Sequence, residues 1–486
     1  MSAAKSRGQS RARRTKIVCT IGPATRSRTA LERLARAGMD VARLNFSYGA
    51  HAEHARMITN IRSVSRRLGR PIGILQDLRG PKLRVGELPD GGVLLKARQE
   101  VVLSTEPAPE PPKIPVPAAE LAGALTAGQR VLLGDGRIEL AVLDTTRTEI
   151  RCRVRAGGVL KSYQGVAAPD TVLPIKAATS KDLSDLRFGL ARGVDWVAMS
   201  FVRGADDLTP LRREIGRAGA NVGVMAKIER RDAISNLDEI VEAAEAIMVA
   251  RGDLGIQLPL ERVPVLQKSI IASCNAAGKP VITATQMLES MVESPRPTRA
   301  EVSDVANAVL DGTDALMLSG ETAVGRYPTE AVRVMSRVAA RAEASFDYDA
   351  RLKVTSQWPC RTVTDGISQA TVGLAHDLNA GGIITATNSG RTALMVAMHR
   401  PKAPIIAVTP DVATQKRLTL SWGVTPLLAP RGRNTDQLIV NAISRARDLG
   451  MVREGDAVIV TAGIPAGASG QTNLIKVEVV GQHDQT

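Results

Sequence analysis

Aromatic side chains make up only 2% of this 486-residue chain: three Trp, four Tyr and four Phe. Its cores must therefore be assembled from Val, Leu, Ile, Ala and Met, within an apolar share of 44%. The same scarcity argues against nucleic-acid binding by base stacking. The four cysteines, Cys19, Cys152, Cys274 and Cys360, are far apart and form no metal-type pair. Cys19 in an apolar strand and Cys274 on a helix read as small core hydrophobes in a reducing compartment. The five histidines show no ligand spacing; His51 and His54 share a helix start, where a solvated or capping pair is expected. No apolar run approaches the roughly 18 residues that span a bilayer. The basic opening MSAAKSRGQSRARRTK leads into a short strand-like segment and is unlike a secretory signal, so a cytoplasmic protein is expected.

Positive charge is abundant. Lys and Arg number 64 against 49 Asp and Glu, a net charge of +15. Apart from the cluster Lys5 to Lys16 the basic residues are scattered, which favours small polyanions such as phosphorylated metabolites over nucleic acid. Residues 1–14 are expected to be a flexible basic tail. The length calls for two to four domains.

The stretch from Asn221 to Pro259 organises the rest. Val222 to Ala226 is an apolar strand ending in Lys227-Ile228-Glu229, and residues two apart on a strand share a face. Ile234, Leu237, Ile240 and Val241 then make one helical stripe. A second strand, Ala246 to Ala250, runs into Arg251-Gly252-Asp253. A Lys, a Glu and an Asp thus stand at carboxyl-terminal strand ends, where ligands bind in parallel α/β folds.

The same rhythm runs through most of the chain. Strands are predicted at Lys16 to Gly22, Val41 to Phe46, Pro71 to Asp77, Val194 to Phe201, Pro280 to Thr285 and Ala315 to Leu318, most of them followed by helices. With the two above they make a (β/α)8 TIM barrel over 15–84 and 170–345. Between Val85 and Gly165 the segments are short, valine-rich and broken by Gly and Pro, with a tight turn at Asp135-Gly136. This predicts an inserted all-β lid over 85–169. Five further strand candidates from Ile383 onward predict a C-terminal doubly wound α/β domain over 346–486.

The barrel geometry would collect the strand ends at one mouth: Arg43, Asn45 and Ser47, Asp77, Lys82 and Arg84, Ser200, Lys227 and Glu229, Gly252 and Asp253, Thr285 and Gln286, then Ser319 and Glu321. Such a set suits transfer at a multiply charged oxyanion, clamped by Arg and Lys and bridged by a metal between two carboxylates.

At this point the chain resembles the pyruvate kinase family. The resemblance runs from about Lys16 to Val480 and rests on TKIVCTIGPATRS, VARLNFSYG, DLRGPKLRVG, SKDLSDLRFGL, MAKIE, IMVARGDLG, the long block GKPVITATQMLESMVESPRPTRAEVSDVANAVLDGTDALMLSGETA, and VTAGIPAGASGQTNLIKV. It implies phosphoryl transfer from phosphoenolpyruvate to ADP, giving pyruvate and ATP at the end of glycolysis. It implies Lys227 as the catalytic lysine, Glu229 and Asp253 as ligands of Mg2+ or Mn2+, and Arg43 as a phosphate clamp. Gly252, Asp253 and Thr285 would hold the substrate carboxylate and methylene side, and Arg84 and Lys181 the nucleotide phosphates. It further implies a homotetramer, and a sugar-phosphate or nucleotide effector at Thr387, Asn388, Ser389, Gly390, Arg391 and Thr392, a strand-to-helix loop shaped as a phosphate nest.

The chain also departs from the family. The potassium site, matching Asn45, Ser47 and Asp77, usually continues in DTKGPE, and here reads Asp77-Leu78-Arg79-Gly80-Pro81-Lys82. Leu78 offers no side-chain oxygen, and an ammonium from Lys82 beside Asp77 would supply the missing charge, so potassium is expected to be dispensable. Tyr48 replaces a family histidine, and Gly165-Val166-Ala167-Ala168-Pro169 replaces the usual lid hinge. The competing expectations are a metal-dependent aldolase or lyase on a similar barrel, and an added nucleic-acid-binding role for the basic tail.

Overall fold

A computed structural model describes residues 13–106, 113–430, 435–463 and 472–482. Eight parallel strands close into a barrel. In chain order they are Lys16–Thr20, Val41–Asn45, Gly73–Asp77, Trp196–Met199, Gly223–Ile228, Ala246–Ala250, Val281–Ala284 and Ala315–Leu318. The first strand pairs with both the second and the eighth, which completes the closure. These strands are apolar runs rather than alternating ones because both faces are covered. Ile17 and Cys19 point out to the helix ring, and Val18 between them points into the centre. The centre is filled by Leu75, Met225, Met248, Ile282 and Met317 around Trp196, as the shortage of aromatics requires.

The stripe Ile234 to Val241 forms two short helices, Arg231–Ser235 and Leu237–Ala243, instead of one. Asn236 interrupts them, and its side-chain amide donates to the Arg203 carbonyl at 2.8 Å. Asn is a weak interior helix residue, and this long-range bond holds it at the break.

After the third strand the chain leaves the barrel and builds a six-stranded sheet with a separate two-stranded ribbon. Its long strands Ile138–Thr145 and Glu149–Ala156 largely alternate buried and exposed positions around a core that includes Leu103, Val131, Leu140 and Cys152. The turn at 134–136 places Gly134, Asp135 and Gly136 all at positive φ, two of them glycines that carry no Cβ penalty.

The C-terminal sheet has the order Val424–Leu428, Ile405–Thr409, Gly382–Ala386, Ala457–Ala462, Leu474–Val479. Its last strand runs antiparallel to its neighbour. The domain meets the barrel at the amino-terminal ends of the barrel strands. Leu420 joins the inward-facing layer with Val41, Leu75 and Trp196, while the Trp196 indole donates to the Arg417 carbonyl at 3.2 Å. Beside it Arg400 and Asp314 form a buried pair at 3.0 Å, with Asn275 and the Gly312 carbonyl as further acceptors for the guanidinium.

Arg13 and Arg14, expected within the flexible tail over 1–14, are held in place. Arg13 pairs with Asp40 at 2.8 Å, and Arg14 bonds the carbonyls of Pro401 and Lys402 and lies over the Tyr348 and Trp422 rings. Residues 1–12 lie outside the described residues. Cys19, Cys152 and Cys274 are buried, and Cys360 is exposed. Among the described residues no helix is long and apolar enough to cross a membrane.

Candidate active site

The strand ends converge on Lys227. Its ammonium donates to Ser200 Oγ at 2.7 Å and lies 2.8 Å from Glu229 Oε1 and 3.2 Å from Asp77 Oδ1. Three acceptors therefore meet three N–H groups, drawn from the third, fourth and fifth strands. Burial works against the charge, but Asp77 and Glu229 outweigh it and hold the ammonium well above the usual lysine range. Ser200 donates its own proton to the Leu78 carbonyl at 2.7 Å, which leaves its lone pairs for Lys227.

Asp77 also takes Arg43 Nε at 2.7 Å, and Arg43 reaches Thr20 Oγ1 at 2.9 Å. Burial would raise the Asp77 carboxyl, yet Lys227 and Arg43 hold it below the usual carboxylate range. Two fixed cations thus stand on one ionised carboxylate.

Glu229 accepts the Phe201 backbone N–H at 2.7 Å. Burial pushes its carboxyl up, Lys227 opposes, and the like charge of Asp253 adds to the rise. Asp253 keeps about a third of its side chain open, at 31%. Its partner is Lys82, at 3.0 Å. Lys82 also lies 3.9 Å from Asp135 in the lid turn. This corrects the expectation that Lys82 stands beside Asp77: the ion pairs of Asp77 are with Arg43 and Lys227, and Lys82 bridges Asp253 to the lid. A cavity of about 60 Å³ opens there between lid and barrel, lined by Lys82, Asp135, Phe201, Arg230 and Asp253 among others.

Gly252, on the short helix Arg251–Gln257 that follows the sixth strand, is pressed against Thr285, just past the end of the seventh. A Cβ on Gly252 would fall 2.7 Å from Thr285 Cγ2, so only glycine fits. Thr285 has φ 75° and Gln286 φ 55°, consecutive non-glycine residues in the left-handed region, and Phe201 adds a third at 58°. Each such residue costs on the order of 1–3 kcal/mol and persists only where its surroundings hold it. The sequence gives no sign of this strain.

The remaining expected residues make contacts outside this cluster. Arg84, at the lid joint, donates to the Tyr163 carbonyl at 2.8 Å. Lys181 pairs with Asp185 and reaches the Phe46 carbonyl at 3.1 Å. Asn45 Oδ1 caps the Ser47 N–H at 3.0 Å. Glu321 turns inward onto the Ser319 and Leu288 N–H groups and serves the backbone. His54 is not a solvated residue: it is buried, stacked on Phe46 at 3.9 Å, and bonded to the Tyr48 carbonyl. In the C-terminal domain Thr387 Oγ1 accepts the Gly390 N–H at 3.0 Å, and Thr392 meets Thr472 at 2.8 Å. The Asn388 and Ser389 carbonyls take Thr414 and Arg417, so this loop is tied to the helix that ends above the barrel base.

Comparison with known proteins adds a family match to this geometry. Residues 12–332 match the model described as "Pyruvate kinase, barrel domain", and residues 365–478 that described as "Pyruvate kinase, alpha/beta domain". The chain is 47% identical over 472 residues to "Pyruvate kinase" of Geobacillus stearothermophilus, covering 96% of this chain and 80% of that one. It is 48% identical over 473 residues to "Pyruvate kinase 2" of Synechocystis sp., covering 96% and 79%. "Pyruvate kinase" of Staphylococcus haemolyticus is 45% identical over 473 residues, covering 96% and 81%.

Proposed function

The chain belongs to the pyruvate kinase family, and from that premise we propose how its residues divide the transfer of a phosphoryl group from phosphoenolpyruvate to ADP. The observation that carries the reading is the Lys227 ammonium, held by Ser200, Asp77 and Glu229 beside the Arg43–Asp77 pair. Phosphoryl transfer asks a protein mainly for alignment and for fixed positive charge around a loose transition state. A lysine kept protonated by two carboxylates is fixed charge, and cannot act as a base at neutral pH. Lys227 would meet the phosphoryl group as it leaves the enol oxygen, and Arg43 would clamp it from the second strand. Gly252, Asp253 and Thr285 would hold the substrate carboxylate and methylene side, and Arg84 and Lys181 the nucleotide phosphates.

Glu229 and Asp253 would hold the divalent ion. They are close enough to raise the Glu229 carboxyl by repulsion, and they supply hard oxygens. Among the described residues no group of three or more acidic, Cys or His side chains could hold a metal. Two carboxylates instead suit Mg2+ or Mn2+, which leave their other positions to substrate oxygens and water. When bound, such an ion supplies Lewis-acid stabilisation of the developing phosphoryl charge.

Potassium independence belongs to the same reading, with a changed geometry. The Leu78 side chain is buried and has no oxygen, and its carbonyl is taken by Ser200. Lys82 would bring the substitute charge into the cleft from the Asp253 side. The division into barrel 15–84 and 170–345, lid 85–169 and C-terminal domain 346–486, the homotetramer, and a phosphorylated effector at 387–392 complete the proposal.

The test is pyruvate formation from phosphoenolpyruvate and ADP with Mg2+, first without potassium or sodium, then with potassium added. Full activity without potassium is the expected result. Activity only with potassium would remove the role given to Lys82. No activity in either buffer would overturn the assignment to this reaction. Lys227→Met should lower kcat by at least about a thousandfold in a folded protein; near-normal turnover would sink the role of Lys227.

A further inference from the structure

Thr285 and Gln286 need a restraint, and one side chain supplies it. Arg251 Nη2 donates to the Thr285 carbonyl at 2.8 Å, and its Nε lies 3.3 Å from the same oxygen. The guanidinium is in turn forked on Asp304, with Nη1 to Oδ1 at 2.6 Å and Nη2 to Oδ2 at 2.7 Å, and Gln267 accepts from Nη1 at 3.2 Å. Asp304 stands on the helix Arg299–Leu310 that follows the strained turn, and Gln267 on Val263–Ala276. A planar fork bound on two sides has little freedom to rotate, so the carbonyl it holds is fixed relative to both helices. Arg251 also leads directly by its own backbone into Gly252, whose missing Cβ makes room for the Thr285 methyl. One residue therefore sets the height of the sixth strand end and the conformation of the seventh.

We infer that Arg251, braced by Asp304, is a positioning residue that holds the Thr285–Gln286 turn left-handed and so aims the Thr285 hydroxyl into the substrate pocket. Arg251 acts through Thr285 and Gly252, and the inference rests on the reading of those two residues as parts of that pocket. The left-handed conformation is unfavourable for a β-branched residue. Without the fork, the turn relaxes toward an ordinary strand end and the hydroxyl moves. Misplacement of about 1 Å at a reacting centre costs on the order of a hundredfold in rate.

The experiment is a cycle of Arg251→Gln, Gln286→Gly and the double variant, with kcat and KM for phosphoenolpyruvate measured per folded enzyme. Glycine takes a positive φ freely, so it removes part of what Arg251 must restrain. Gln286→Gly alone should stay within about twofold of the parent, and Arg251→Gln should lose at least about tenfold in kcat with a smaller change in KM. The double variant should recover a large part of that loss, a coupling that a merely structural role would not produce. Asp304→Asn should fall in the same direction by less. If Arg251→Gln does not fold, Arg251→Lys keeps the charge without the fork and should show the same kcat loss. Unchanged kcat in the Arg251 variants, or a loss that glycine at 286 does not reduce, overturns the inference. A parent enzyme that makes no pyruvate would instead overturn the functional reading beneath it.

Discussion

Lys82 closes a 3.0 Å ion pair on Asp253, so the segment that carries the chain from barrel to lid ends on a carboxylate proposed to hold the divalent ion. The ammonium and the metal would compete for one oxygen pair. Both side chains are partly open, at 25% and 31%, so the pair is worth about 1 kcal/mol at most. Lys82→Gln should therefore bind Mn2+ about threefold to fivefold more tightly in the absence of nucleotide, read from the free-ion signal by electron paramagnetic resonance. The same variant should gain a response to potassium. Unchanged Mn2+ affinity would mean that Lys82 does not guard the site.

Gly252→Ala tests the contact between the sixth and seventh strand ends. Its methyl would fall 2.7 Å from Thr285 Cγ2, a separation that real side chains do not sustain. We expect kcat/KM to fall about a hundredfold, with a melting temperature within a few degrees of the parent. Retained activity would show that Thr285 moves without consequence.

Arg400→Met should destabilise the protein through the barrel base. Arg400 and Asp314 are 2% and 5% exposed, so the carboxylate would keep its burial and lose its cation. Breaking a buried pair from one side costs about 3–5 kcal/mol. A clear drop in the thermal midpoint is the expected readout, and an unchanged midpoint would show that the pair does not stabilise the barrel base.

His399 is expected to make the fold sensitive to acid. Burial, then the nearby Arg351 and Arg400, depress its imidazole to about 4, and Asp365 only partly opposes them. The unfolded chain binds this proton near the ordinary value of 6.5 and the folded chain does not. The stability contributed above pH 6.5 is therefore lost as pH falls toward 4, by up to about 3 kcal/mol. His399→Leu should flatten the melting temperature against pH across that window. An unaltered slope would place the acid sensitivity elsewhere.

The barrel was legible because buried parallel strands read as short apolar runs, and because their polar ends fall in phase. Lys227 and Glu229 are two apart along one extended stretch, and that spacing alone marks them as a pair. Side-chain reach was not legible. Lys82 turns to Asp253 across the lid joint, and nothing local in Gly80-Pro81-Lys82 announces it. The strain at Thr285 and Gln286 is equally silent, since Thr285 ends an ordinary strand-like run and Gln286 follows it with no glycine to mark a left-handed turn. Asn236 could have been read as a helix interruption from its side chain alone. The burial of His54 is not legible from its helix position, because it is set by the Phe46 ring stacked on it. Arg13 and Arg14 belong to a basic run, yet their partners lie on Asp40, Pro401 and Lys402, far along the chain.

Leu420 lies in the same layer as Trp196 and Leu75, although it comes from a different domain. The barrel is thus a vessel whose floor is delivered by a later part of the chain. A graft that exchanges the C-terminal domain must bring a leucine to that height, or leave a greasy opening at the foot of the catalytic unit. Residue 420 follows all eight barrel strands in the chain, so the barrel segment by itself does not supply every side chain of its own inner layer.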